Sequence, residues 1–185
     1  MSKHYDSSAN WLGQMGYQVV DAWGVDHTAR LGGALEEGYA WEKNRVVGEG
    51  LAYMLNAALR GEGVLSNFYI APFAANVTPA ANMTAATFPT TMTEFTNYAE
   101  PNRVAWVTDA PATSTNVFLT NAAAPALFTI AGGPQNVIWG AALLGAQAKS
   151  STNSILFAAQ KRTTALSVES EFEVRIRYRI LGQSS

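Results

Sequence analysis

Near its C-terminal end the chain reads Val-Glu-Ser-Glu-Phe-Glu-Val-Arg-Ile-Arg-Tyr-Arg-Ile over residues 168–180. Successive side chains of an extended strand point to opposite faces. The segment therefore puts Val168, Phe172, Val174, Ile176, Tyr178 and Ile180 on one face and Glu169, Glu171, Glu173, Arg175, Arg177 and Arg179 on the other. It demands a sheet with one dry face and one wet one. The charged face is also ordered, three acids before three bases. Two copies paired antiparallel about Val174 would set Glu169 against Arg179, Glu171 against Arg177 and Glu173 against Arg175. An oligomer interface is one reading of this self-complementarity, and an exposed edge kept soluble by its own charges is the other.

The rest of the chain supplies partners for such a strand. Asn67 to Phe73, Arg103 to Thr108, Asn116 to Thr120, Leu127 to Ala131, Val137 to Leu144 and Ser154 to Gln160 read as short strands, and the last runs from Ala165 to Leu181. Turn signals separate them at Asp109-Ala110-Pro111, Gly132-Gly133-Pro134 and Lys149 to Asn153. Tyr39, Trp41 and Val46-Val47 suggest one more strand. Leu51, Met54, Leu55, Ala58 and Leu59 recur at helical spacing, with Glu49 in the first turn and Arg60-Gly61 as a stop, so the spacing predicts a helix over 49–60. The expected fold is mainly β, an antiparallel β-sandwich or jelly roll with this one helix on its N-terminal side. Six glycines before residue 39 weaken regular structure there. Residues 1–38 are accordingly read as an extended arm and residues 39–185 as the β domain. Trp11 and Trp23 in the arm either fold back on the core or anchor on a neighbouring subunit.

Charge narrows the function classes. Charged residues make up 14% of the chain, against about 25% in a typical soluble domain. The deficit is local: residues 64–148 hold only Glu94, Glu100, Arg103 and Asp109, while Thr, Asn, Ser, Ala and Gly keep the tract polar. Such a surface repels its own copies poorly and suits packing against neighbours. Residues 74–93, with six Ala, six Thr and no charge, read as a long loop carrying short extended pieces. A net charge of −2 argues against nucleic acid, and no apolar run reaches membrane-span length, so neither partner is expected. No signal-peptide pattern follows Met1, which points to synthesis in a cytoplasm-like compartment.

Catalytic chemistry has few groups to draw on. Without cysteine there is no thiolate metal site, redox dithiol or cysteine nucleophile, and the two histidines, His4 and His27, sit in no zinc-ligand or serine-hydrolase context. Gly48-Glu49-Gly50 opens a helix, but Tyr53 stands where a dinucleotide fingerprint needs its third glycine. Glu94, Tyr98, Glu100 and Arg103 have the composition of a sugar site. A single opposed pair in a charge-poor tract favours the structural reading instead, in which Glu94 and Arg103 brace the long loop on the sheet. No enzyme activity and no cofactor or metal is expected. Asn76-Val77-Thr78 and Asn82-Met83-Thr84 match the glycosylation pattern by chance in so Asn- and Thr-rich a tract.

Val46-Val47-Gly48-Glu49-Gly50-Leu51 leading into Met54-Leu55, Asn67-Phe68-Tyr69-Ile70-Ala71, Glu94-Phe95-Thr96-Asn97-Tyr98 with Arg103, Val137-Ile138-Trp139-Gly140-Ala141-Ala142-Leu143 and Ile155-Leu156-Phe157 together form a spaced pattern over residues 46–180. In it the chain resembles small virion structural proteins of tailed bacteriophages. That resemblance implies a capsid decoration or cement protein, commonly a jelly roll or sandwich working as a dimer or trimer on the shell, or a protein of the neck or tail. It implies an assembly role and no catalytic residues. The expectation is thus a protein assembled in the host cytoplasm and carried on the virion, whose partners are its own copies as a homodimer or homotrimer and the major capsid protein or another virion protein. The alternative is a carbohydrate-recognising tail-fibre or receptor-binding module.

Overall fold

A computed structural model describes residues 13–31, 34–110, 116–132 and 136–183. Strands β1 (Gly13–Val20), β2 (Ala34–Glu36), β3 (Tyr39–Lys43) and β4 (Arg45–Val46) precede helix α1 (Gly48–Leu55), which runs on as a π-helical turn over Asn56–Arg60. Gly61, in the left-handed region at φ 66°, ends it. Then come β5 (Tyr69–Phe73), the single-turn helix α2 (Phe88–Thr91), β6 (Val104–Ala105), β7 (Asn116–Thr120) and β8 (Ala126–Thr129). The chain finishes with β9 (Asn136–Leu144), β10 (Leu156–Val168) and β11 (Glu173–Gln183).

The strands form two antiparallel sheets, so the fold is mainly β and sandwich-like. The first sheet runs β2-β3-β1-β11-β7, with β8 pairing the other half of the β11 edge that β7 occupies, and the second runs β4-β10-β9-β5-β6. The strands that end the sheets are short, from two residues in β4 and β6 to five in β7. Met15, Tyr17, Val19, Val174, Ile176 and Tyr178 of the first sheet meet Ile70, Ile138, Leu143 and Leu166 of the second in the main core. No helix among the described residues is long and apolar enough to cross a membrane.

The second sheet is covered on its other face as well. Ala71, Phe73, Ala142 and Leu144 project away from the main core and pack against Met83, Ala85, Phe88 and Met92. Phe88 is fully buried there, which contributes about 2 kcal/mol. Segment 74–93 is therefore a third layer, and it carries the helical turn α2 where short extended pieces were expected. Its lack of charge follows from what lies beneath it, and strands buried on both faces read as continuous apolar runs. Glu49 ties the layers, accepting hydrogen bonds from the amides of Ala85 at 2.8 Å and Leu156 at 2.7 Å. At Gly50 a methyl group would collide with the Phe157 carbonyl, so α1 seats directly on β10 only because that position has no side chain.

Two further expectations are corrected. Within the region read as an arm, residues 13–20 form an interior strand, hydrogen-bonded to β11 on one side and β3 on the other. Met15, Tyr17 and Val19 alternate inward, and Gly16 leaves room for the indole of Trp41, which lies over it. Glycine there serves close packing, not slack. Second, the run from Ala165 to Leu181 is two strands joined by a turn at 169–172, where Glu171 takes φ 71°. Both edges of β11 are occupied within the chain, so Glu169, Glu171, Glu173, Arg175, Arg177 and Arg179 cannot form the proposed strand-to-strand oligomer interface. Trp11 lies outside the described residues.

Candidate functional site

The loop after β1 is built around one carboxylate. Asp21 Oδ1 accepts hydrogen bonds from the amides of Trp23 (3.0 Å) and Val25 (2.9 Å), while the Asp21 carbonyl accepts from Gly24 N and its own amide donates to the Val25 carbonyl, both at 3.0 Å. Gly24 supplies the left-handed conformation, φ 83°, that closes the turn. Asp21 Oδ2 meets His27 Nε2 at 2.9 Å, and the imidazole stacks on Phe172 at 5.8 Å between centroids, anchoring the loop to the turn between β10 and β11. The histidine hydrogen bond, first, and the Val25 amide hold the Asp21 carboxyl below its ordinary range. Asp26 repeats the device one step on, accepting from Thr28 N at 2.7 Å and Gln18 Nε2 at 3.1 Å.

This internally bonded turn holds Trp23 out into solvent, 85% exposed, with Val25 beside it at 53%. An indole displayed on a turn that loses little freedom on binding is the arrangement of an interface anchor. A second apolar surface lies at the opposite end of the sandwich, since α1 follows strands beside the start of β1. Leu51, Tyr53 and Met54 pack on the core, whereas Leu55, Leu59 and Val64 are exposed. Helical spacing had placed Leu55 and Leu59 on the buried face. They lie outside because the face that α1 turns to the core runs instead through Gly50, Leu51, Tyr53 and Met54.

The residues singled out in the sequence separate into distinct settings. Glu94 and Arg103 form a bidentate pair, Nε to Oε1 at 2.8 Å and Nη2 to Oε2 at 2.7 Å, with side chains 1% and 0% exposed. Arg103 also donates to the carbonyls of Ala146 and Ser151, and Glu94 accepts from Ser150 N, so the pair fastens its segment to the loop between β9 and β10. Tyr98 is buried, and desolvation, then Glu94, raise its phenol far above the usual range. The three side chains are thus enclosed by their own chain.

On the outer face of the first sheet Arg177 bonds Glu37 and lies 4.2 Å from the Tyr39 ring, and Arg179 bonds Glu36 and lies 4.1 Å from Trp41. Arg175 pairs with Glu173, two residues back. Glu169 and Glu171 stand in the turn, exposed. Among the described residues no three His, Cys, Asp or Glu side chains group as a metal site. Sequence reasoning singled out Trp23 but missed Val25, Leu55, Leu59 and Val64. The readable signal for the tip was Asp21 three residues before Gly24, an Asx-turn spacing that frames Trp23. Comparison of the chain with protein-family models, curated proteins and solved structures finds no match.

Proposed function

We propose that the chain is a non-enzymatic virion structural protein of the capsid decoration or cement type, carried on the particle and bound to neighbouring capsid subunits. The observation that carries this reading is Trp23, 85% exposed on a turn whose backbone is fastened by Asp21. Aromatic anchors of this kind concentrate binding energy at interfaces. The exposed Leu55, Leu59 and Val64 at the other end give a second surface, so one molecule can touch two neighbours. Three charged groups in the described residues are engaged in structure: Glu94 with Arg103, Asp21 with His27 and Glu49 with backbone amides. The carbohydrate reading has lost Glu94, Tyr98 and Arg103 to the interior.

The test is co-sedimentation of the purified chain with capsids assembled without it. Wild type should saturate the particles, and Trp23→Ala, which removes a solvent-exposed side chain, should melt at the same temperature yet bind about thirtyfold more weakly. Equal binding by Trp23→Ala, or no binding by wild type, would overturn the proposal.

A further inference from the structure

Residues 50–59, most of α1 and its π-helical turn, contain no charged side chain. Nothing in such a surface element holds other molecules at a distance. Leu51, Tyr53 and Met54 face inward and pack on the core. The outward side carries Gly48, Ala52, Leu55 and Leu59, all exposed, at steps of four, three and four residues. That spacing keeps to one line along a helix, the kind of seam by which two helices pack. Leu55 is 58% and Leu59 78% exposed, and Val64, just past the turn, 65%.

The seam is complementary to itself. Its steps read the same in both directions, with small residues in the first half and leucines in the second. Two copies laid antiparallel across a twofold axis would set Leu59 of each against Gly48 of the other, and Leu55 against Ala52, so that a large side chain faces a gap at every step. Charge favours the same orientation. Antiparallel helices put the positive N-terminal end of one beside the negative C-terminal end of the other. Arg60 and Glu62 close the seam as an ion pair that is neutral as a unit, so neither copy brings a net charge to the contact.

We infer that this seam is the contact between two copies of the chain, a twofold interface of helix against helix. Its size sets its strength. Leu55, Leu59 and Val64 together leave the equivalent of two whole residues uncovered, well short of the ~800 Å² per partner of a standard complex. The pair therefore belongs to the weak class, with a dissociation constant on the order of 10–100 μM, and it fills where copies are crowded. The inference names the partner of the second apolar surface and does not depend on what Trp23 binds.

Sedimentation equilibrium of the full chain from about 5 to 500 μM tests it. The average mass should climb from 19.8 kDa toward twice that value. Leu59→Arg changes an exposed position where a cation suits the helix C-terminus, so the variant should melt as wild type does and pair at least about tenfold more weakly. Ala52→Leu should also weaken the pair, by filling the gap that receives Leu55. Trp23→Ala should leave it unchanged. A wild type that stays monomeric at every concentration, or pairing as tight as wild type in Leu59→Arg or Ala52→Leu, would overturn the inference. Capsid binding lost in Leu59→Arg while wild type is monomeric would also overturn it and give the seam to the capsid. Because Trp23→Ala is read on capsids and Leu59→Arg in solution, each proposal can fail without the other.

Discussion

On the outer face of the first sheet Arg177 and Arg179 lie over Tyr39 and Trp41, their side chains 16% and 19% exposed, whereas Arg103 is sealed at 0% against an equally dry Glu94. The first arrangement uses arginine as a cover. Its stem and planar head keep water off two aromatic rings while the charge still finds Glu36 or Glu37. The second uses arginine as a fastener, with two hydrogen bonds to one carboxylate and two to carbonyls of a distant loop. A cover loses a contact when removed, but a fastener leaves a charge stranded in the interior. The same residue type should therefore give very different mutational signatures at the two places.

Removing Arg103 is the hardest blow. Arg103→Leu leaves the Glu94 carboxylate buried without its partner, a loss of about 3–5 kcal/mol, which chemical denaturation would register as a large fall in midpoint. Glu94→Gln in the same background should restore part of that stability, because the stranded charge is gone. Arg179→Ala should cost about 1 kcal/mol, through the uncovered Trp41 ring more than the exposed partner Glu36, and tryptophan fluorescence should shift red as water reaches the indole. Equal losses at Arg103 and Arg179 would erase the distinction.

Acid should touch the cover system most gently. The Arg179 hydrogen bond, first among the causes, holds the Glu36 carboxyl below its ordinary value. A depressed carboxylate contributes stability that is complete above the unfolded value near pH 4 and is lost as pH falls through the lower folded value. Because Glu36 is half in water the effect is small. The difference in stability between wild type and Arg179→Ala should accordingly narrow below about pH 4, as followed by thermal melts.

The residues explain which parts of this design were legible in the sequence. Inside and outside were readable for Glu173 to Ile180 because alternation reports the pleat directly. The turn just before was not: Val168, Phe172 and Val174 keep the same parity across residues 169–172, so the apolar set continues through the reversal, and Glu171 takes the left-handed conformation without a glycine to mark it. Around β1 glycine misled in the opposite sense, since a residue needed for the close approach of Trp41 looks the same in sequence as one needed for flexibility. The charge-poor tract suggested an assembly surface, yet Met83, Phe88 and Met92 show much of it turned inward, because composition cannot tell a face covered by its own chain from one awaiting another. Trp23 was readable as an anchor candidate, but its rigid display depends on bonds from Asp21 that only the folded loop reveals.

The shortness of the strands that end both sheets has a further consequence. Backbone at an open sheet edge will accept another chain's backbone, and crowding many identical molecules shoulder to shoulder invites that pairing to spread into fibrils. The terminal strands, of two to five residues, give such growth little template, and a longer stretch of edge is that of β10 beyond its pairing with β4 at Ala158 and Ala159. Where these short strands close a sheet, copies of this chain are left to meet through side chains, and contacts made that way are reversible.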